Sequence, residues 1–103
     1  MRTLNDCFGN TVRLTDERLG HILQHPEMHG FESAIENALN GPDQVRQSRS
    51  DASVSLFYGF HEQTSVGAKW LCVVVKNLEA DAFVVTAYLT DKPKAGELLW
   101  PKK

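Results

Sequence analysis

A chain of 103 residues with 42% hydrophobic and 23% charged residues holds one domain with one core. Its formal net charge of −2 excludes a protein that coats nucleic acid through bulk electrostatics, and no apolar run is long enough to span a bilayer. Cys7 and Cys72 are isolated thiols without metal-type spacing, and the N-terminus lacks a signal-peptide pattern, so a reduced, cytoplasmic setting is expected. Charge is unevenly placed: residues 1–41 carry three basic and six acidic residues, residues 42–103 eight basic and seven acidic. A small, focused phosphate site is compatible with that balance, and a broad basic face is not.

Asp6-Cys-Phe-Gly-Asn10 is a turn sequence, because Gly9 and Asn10 both tolerate positive φ. Val12 and Leu14 alternate with Arg13, predicting a short strand into a first helix capped by Thr15, with Asp16 and Glu17 in its positive first turn. Leu19, Ile22 and Leu23 form the apolar stripe, and His21 and His25 project from the polar side. Pro26 ends the helix and places His25 at its last turn. Phe31, Ile35, Ala38 and Leu39 predict a second helix over 31–40, stopped by Gly41-Pro42.

The period then changes from 3.6 to 2. Strands are predicted over 45–50, 54–60, 69–76 and 82–90, and residues 92–103 read as an irregular tail docked through Leu98, Leu99 and Trp100. In the last strand, alternation sets Phe83, Val85, Ala87 and Leu89 toward the helices and Ala82, Val84, Thr86, Tyr88 and Thr90 away from them. Two helices followed by consecutive strands give an α+β domain, two N-terminal helices on one face of a four-stranded antiparallel sheet.

Three explanations fit a histidine pair of this kind: surface decoration, a metal site, or acid–base chemistry. His-x-x-x-His has the spacing of helical zinc ligands, but Ile22 stands where a zinc protease carries Glu, and no third ligand has a fixed spacing. No metal and no cofactor are therefore expected. Arg46 and Arg49 flank the start of the sheet with the planar fork that suits phosphate, although two solvated arginines near a turn are commonplace. Nucleophile-elbow, dinucleotide and phosphate-loop motifs are absent.

In order, the chain carries Arg13-Leu-Thr-Asp-Glu-Arg18, His21-Ile-Leu-Gln-His-Pro-Glu-Met28, Ile35-Glu-Asn-Ala-Leu-Asn-Gly-Pro-Asp-Gln-Val45, Leu56-Phe-Tyr58, Trp70-Leu-Cys-Val-Val-Val75 and Val84-Val-Thr-Ala-Tyr-Leu-Thr90. Over residues 11–91 this resembles a phage- and mobile-element-associated domain of the barnase–EndoU–colicin–RelE-like nuclease group, with Gly41-Pro42 where members commonly have Asn-Pro. The resemblance implies the same fold, helices followed by a four-stranded antiparallel sheet as in barnase and RelE-like domains. It also implies metal-independent cleavage of RNA, such as tRNA or mRNA, by a toxin held in check by an antitoxin or immunity protein. It gives His21 and His25 acid–base roles, Arg46 the charge on phosphorus, and Thr86 the hydroxyl of the last strand. Arg49, Tyr58, Lys69 and Tyr88 complete the expected substrate contacts. The competing expectation is a non-catalytic module of the same fold that holds a protein partner on its Trp70, Tyr58 and Tyr88 surface.

Overall fold

A hairpin precedes the helices. In the computed structural model, which describes residues 1–101, β1 (Arg2–Asn5) pairs antiparallel with β2 (Thr11–Leu14). The intervening turn is tied by Asp6, whose buried carboxylate accepts from the backbone N–H of Phe8 at 2.9 Å and of Asn10 at 2.8 Å. Gly9 supplies the left-handed residue, φ 85°. Leu4, Val12 and Leu14 point into the core, so the hairpin is fixed by burial as well as by its turn.

Helix α1 (Asp16–Leu23) starts where Thr15 Oγ1 accepts from the Arg18 N–H at 3.1 Å, and it buries Leu19 and Ile22. It ends earlier than the sequence suggests. His25 is extended, φ −79° and ψ 121°, because the residue before a proline is pushed out of helical geometry, and a 3₁₀ turn (Pro26–Met28) follows. His25 therefore lies beyond the helix, and the expected one-turn alignment of His21 with His25 does not form. Helix α2 (Glu32–Asn40) buries Ile35, Ala38 and Leu39, with Gly41 and buried Pro42 at its end.

Five strands follow: β3 (Gln44–Gln47), β4 (Val54–His61), β5 (Lys69–Leu78), β6 (Asp81–Thr90) and β7 (Leu98–Trp100). The expected four-stranded antiparallel sheet with helices at the N-terminus is corrected to a seven-stranded mixed sheet, order β1-β2-β6-β5-β4-β3-β7, with the helices between strands. The physical reason is at the two edges. A sheet of β3 to β6 alone would leave both outer strands unpaired. Instead β7 pairs antiparallel with β3, and β2 meets β6 in parallel through the single register pair Arg13–Phe83. Arg13 locks that junction with a two-pronged contact to Asp81, 2.8 Å and 2.5 Å.

One face of the sheet carries both helices and the main core, in which Phe57, Leu71, Val73, Val75, Ala82, Val84 and Ala87 meet Leu19, Ile22, Met28, Ile35 and Leu39. The predicted split of β6 is half corrected. Register shifts between Val74 and Val75, which pair with Thr86 and Val84, so Val85 bulges. Before the bulge Ala82 and Val84, not Phe83 and Val85, enter the core; after it Ala87 and Leu89 do.

The opposite face has its own smaller cluster: Leu56, Tyr58 and Cys72 are buried, flanked by Val54, Trp70, Val74 and Tyr88. What covers it is the segment expected to be an irregular tail. The sheet order obliges the chain after β6 to pass β5, β4 and β3, about 19 Å sideways at the usual strand spacing. Residues 91–97 reach only about 23 Å when extended, so they cross directly as a strap. Lys94 N–H donates to Tyr58 Oη at 3.0 Å, Arg46 Nη1 to the Gly96 carbonyl at 3.0 Å, and Gln47 N–H to the Glu97 carbonyl at 2.9 Å. Of the predicted tail 92–103, residues 98–100 are thus a strand, and residues 102–103 lie outside the described residues.

Candidate functional site

The histidines and arginines singled out by the sequence do not converge. His21 is exposed on α1. His25, 71% exposed at its side chain, lines a cavity of about 120 Å³ with Glu27, Met28, Thr86, Ala87, Tyr88 and Leu89. His25 and Thr86 are therefore brought together, and His21 is not among the lining residues. Arg46 stands on β3, three strand spacings or about 14 Å from β6, and its guanidinium is committed to Gln44 Oε1 at 2.6 Å and to the strap.

A second set does converge, on the face opposite the helices. Ser48, Arg49, Ser50 and Asp51 from the turn between β3 and β4 face Val54, Leu56, Val74 and Tyr88 across an open groove of about 650 Å³, closed on one side by Lys94 and Ala95 of the strap. The turn is held by local bonds: Ser53 N–H and Oγ both donate to Asp51 Oδ1, at 2.9 Å and 2.6 Å, and Gln47 Nε2 donates to the Ala52 carbonyl. Across the strap, Arg46, Thr90, Asp91, Lys92 and Lys94 line a second groove of about 660 Å³.

The cations in and around these grooves fall into two classes, and neither Lys69 nor Lys76 is among the lining residues. Lys76 is 2.7 Å from Asp51, and Lys69 is bonded to Asp91. Both carboxylates are held below the usual range, Asp51 by the Lys76 and Ser53 bonds and Asp91 by Lys69, so these two lysines are neutralised. Arg49, Lys92 and Lys94 have no ion-pair partner among the described residues. Lys94 Nζ lies 6.0 Å from the Tyr88 ring centroid, within cation–π range.

Beneath them, burial keeps the neutral forms in place. Tyr58, wholly buried, is pushed up to about 12, and Tyr88 is likewise raised by burial and its Cys72 neighbour. Burial also raises the Cys72 thiol, which removes it as a nucleophile near neutral pH. Tyr58 is therefore a floor for the strap and not the exposed substrate contact expected of it. Tyr88 remains partly open, a protonated donor beside two free cations. Phe60, 47% exposed, meets Trp70 edge-to-face at 5.1 Å between centroids and extends the same face with aromatic surface.

No family model, curated protein or solved structure matches this chain. Among the described residues no three His, Cys, Asp or Glu side chains group as a metal set, and no helix is long and apolar enough to cross a membrane.

Lys94 and Glu27 are the site residues that sequence reasoning missed. Lys94 sits in a Lys-Pro-Lys run that reads as solvated tail. The signal for it was the apolar Leu98-Leu-Trp100 triplet beyond, which must dock somewhere and obliges the intervening residues to cross a face.

Proposed function

We propose that this chain binds single-stranded RNA on the sheet face opposite its helices, with the phosphodiester backbone seated in the groove between Arg49 and Lys94. The observation that carries the reading is the pair of unneutralised cations facing one groove over Tyr88. A groove lined by cations over a low-dielectric floor focuses field even when the whole chain is slightly acidic. Arg49 offers a planar fork to phosphate, Lys94 a point charge, and Ser48 and Ser50 hydroxyl donors. Phe60 and Trp70 supply the ring surface on which unpaired bases stack.

Cleavage of the kind implied by the resemblance to the barnase–EndoU–colicin–RelE-like group needs a base for the 2′-OH proton and an acid for the leaving oxygen, and the groove supplies neither. Arg49 and Lys94 would offset charge on phosphorus, but burial leaves the Tyr88 phenol too weak an acid, so the reading is binding without cleavage. His21 has no place in the groove lining, and His25 lies at the far edge of β6.

The test is fluorescence anisotropy of a short labelled single-stranded RNA at about 50 mM salt, where phosphate contacts are strongest. Arg49→Ala and Lys94→Ala are expected to weaken binding, and His21→Ala to leave it unchanged. Absence of binding by the unmodified protein overturns the reading. A protein-binding role is the second reading, favoured by the exposure of Phe60. Under it, Phe60→Ala leaves RNA affinity untouched; under the RNA reading, affinity falls.

A further inference from the structure

The edge of β6 is only half covered. β2 reaches it through Arg13–Phe83, and beyond the Val85 bulge the 3₁₀ turn Pro26–Met28 lies beside it instead of a strand. Between turn and strand is the cavity of about 120 Å³ that includes His25, Glu27, Thr86 and Tyr88. The Glu27 side chain is 36% exposed, but its Oε1 is shut off from water and has no hydrogen-bond partner; the nearest cationic candidate, His25 Nδ1, is 4.0 Å away. A carboxylate oxygen deprived of both water and donors is an unmet acceptor.

We infer that this cavity receives a nucleobase carrying an exocyclic amino group, and that it is the base site belonging to the phosphate groove. This inference rests on the RNA reading above. Tyr88 belongs to both linings, so the two sites adjoin across a single residue of β6. The cavity of about 120 Å³ is open on one side, so a flat base can enter it while the sugar and phosphate stay outside. A carboxylate accepts from an amino group, as glutamate does from cytosine N4. The last torsion of a glutamate side chain is broad, so turning the oxygen toward the opening costs little. The Thr86 hydroxyl both donates and accepts, and the His25 ring at the mouth gives a face for stacking. Uracil places a carbonyl oxygen where cytosine has its amine, and hypoxanthine lacks the amine of guanine. Both lose the amine and keep a single ring N–H, uracil N3–H and hypoxanthine N1–H, to offer Glu27, and uracil also sets an acceptor where cytosine has its amine.

Two matched pairs isolate the amine: CMP against UMP, and GMP against IMP, titrated into the isotope-labelled full chain and followed by amide shifts. The expected result is shifts at Thr86–Leu89 and at least about tenfold tighter binding of CMP and GMP than of their partners, the size of one hydrogen bond to a charged group. Glu27→Met, checked for a native amide spectrum, is expected to abolish both preferences, and Arg49→Ala to weaken all four nucleotides alike. Equal affinities within each pair, preferences that survive Glu27→Met, or no shifts at Thr86–Leu89 while RNA still binds would each overturn the base site and leave the groove standing. Failure of RNA and all four nucleotides to bind overturns the RNA reading itself.

Discussion

Gly96→Ala is the sharpest perturbation of the strap. A Cβ built at Gly96 comes 2.2 Å from the Gln47 carbonyl oxygen and 3.4 Å from its carbon, both backbone atoms of the β3 strand that also carries Arg46. No rotamer change relieves such a clash, so either the strap or β3 must move. Crowding of this kind costs about 1–3 kcal/mol. Moving the strap also strains the Arg46–Gly96 bond, worth about 1 kcal/mol as a typical net hydrogen bond. A loss of about 2–3 kcal/mol is expected in urea or guanidinium unfolding, and a midpoint lower by roughly 10–20 °C for a domain this size. RNA affinity should fall as well, because Lys94 rides on the same segment. A Gly96→Ala variant as stable as the parent would refute the view that residues 91–97 are pinned across the face.

Gly20→Ala is the opposite case: Gly20 is exposed in α1 with nothing within 4 Å of an added Cβ, so a gain of about 0.5–1 kcal/mol in the same unfolding assay is expected. Acid should destabilise the protein through Asp51, Asp81 and Asp91, all held below the usual carboxylate range by Lys76, Arg13 and Lys69. A depressed folded-state value means the contribution is complete above the unfolded value and lost as pH falls from there toward the folded one. Unfolding midpoints should therefore drop below about pH 4, and Asp51→Asn should flatten that drop. Cys72 should resist a thiol reagent in the native protein and react on unfolding, whereas partly exposed Cys7 reacts first. Fast native labelling of Cys72 would contradict the buried second cluster.

What the sequence makes legible is local. The Thr15 cap, the Gly41-Pro42 stop and the alternation in β4 are written in neighbouring residues and reappear in the structure. Two kinds of feature were not. The first is a change of phase: one extra residue at Val85 moves Ala82 and Val84 to the helix face, and nothing in an apolar run of β-formers marks where a bulge falls. The second is long-range pairing. Arg2–Asn5 has one buried apolar residue, Leu4, too little to read as a strand until β2 is beside it, and Leu98–Trp100 becomes a strand only against β3. The site shows the same division. Arg49 and Tyr88 are visible as residue types, but their meeting depends on the strap, and the His21–His25 alignment depends on a helix that stops two residues short of His25.

The central claim is that Arg49 and Lys94 carry an RNA backbone across the open face. The salt dependence of binding tests it most directly. Each phosphate contact on a single strand contributes about −0.7 to the slope of log affinity against log salt. For the Arg49→Ala/Lys94→Ala double variant, the slope should become shallower by about 1.4 relative to the parent, with His21→Ala/His25→Ala unchanged. A slope unmoved by the groove variant, or moved only by the histidine variant, would contradict the account.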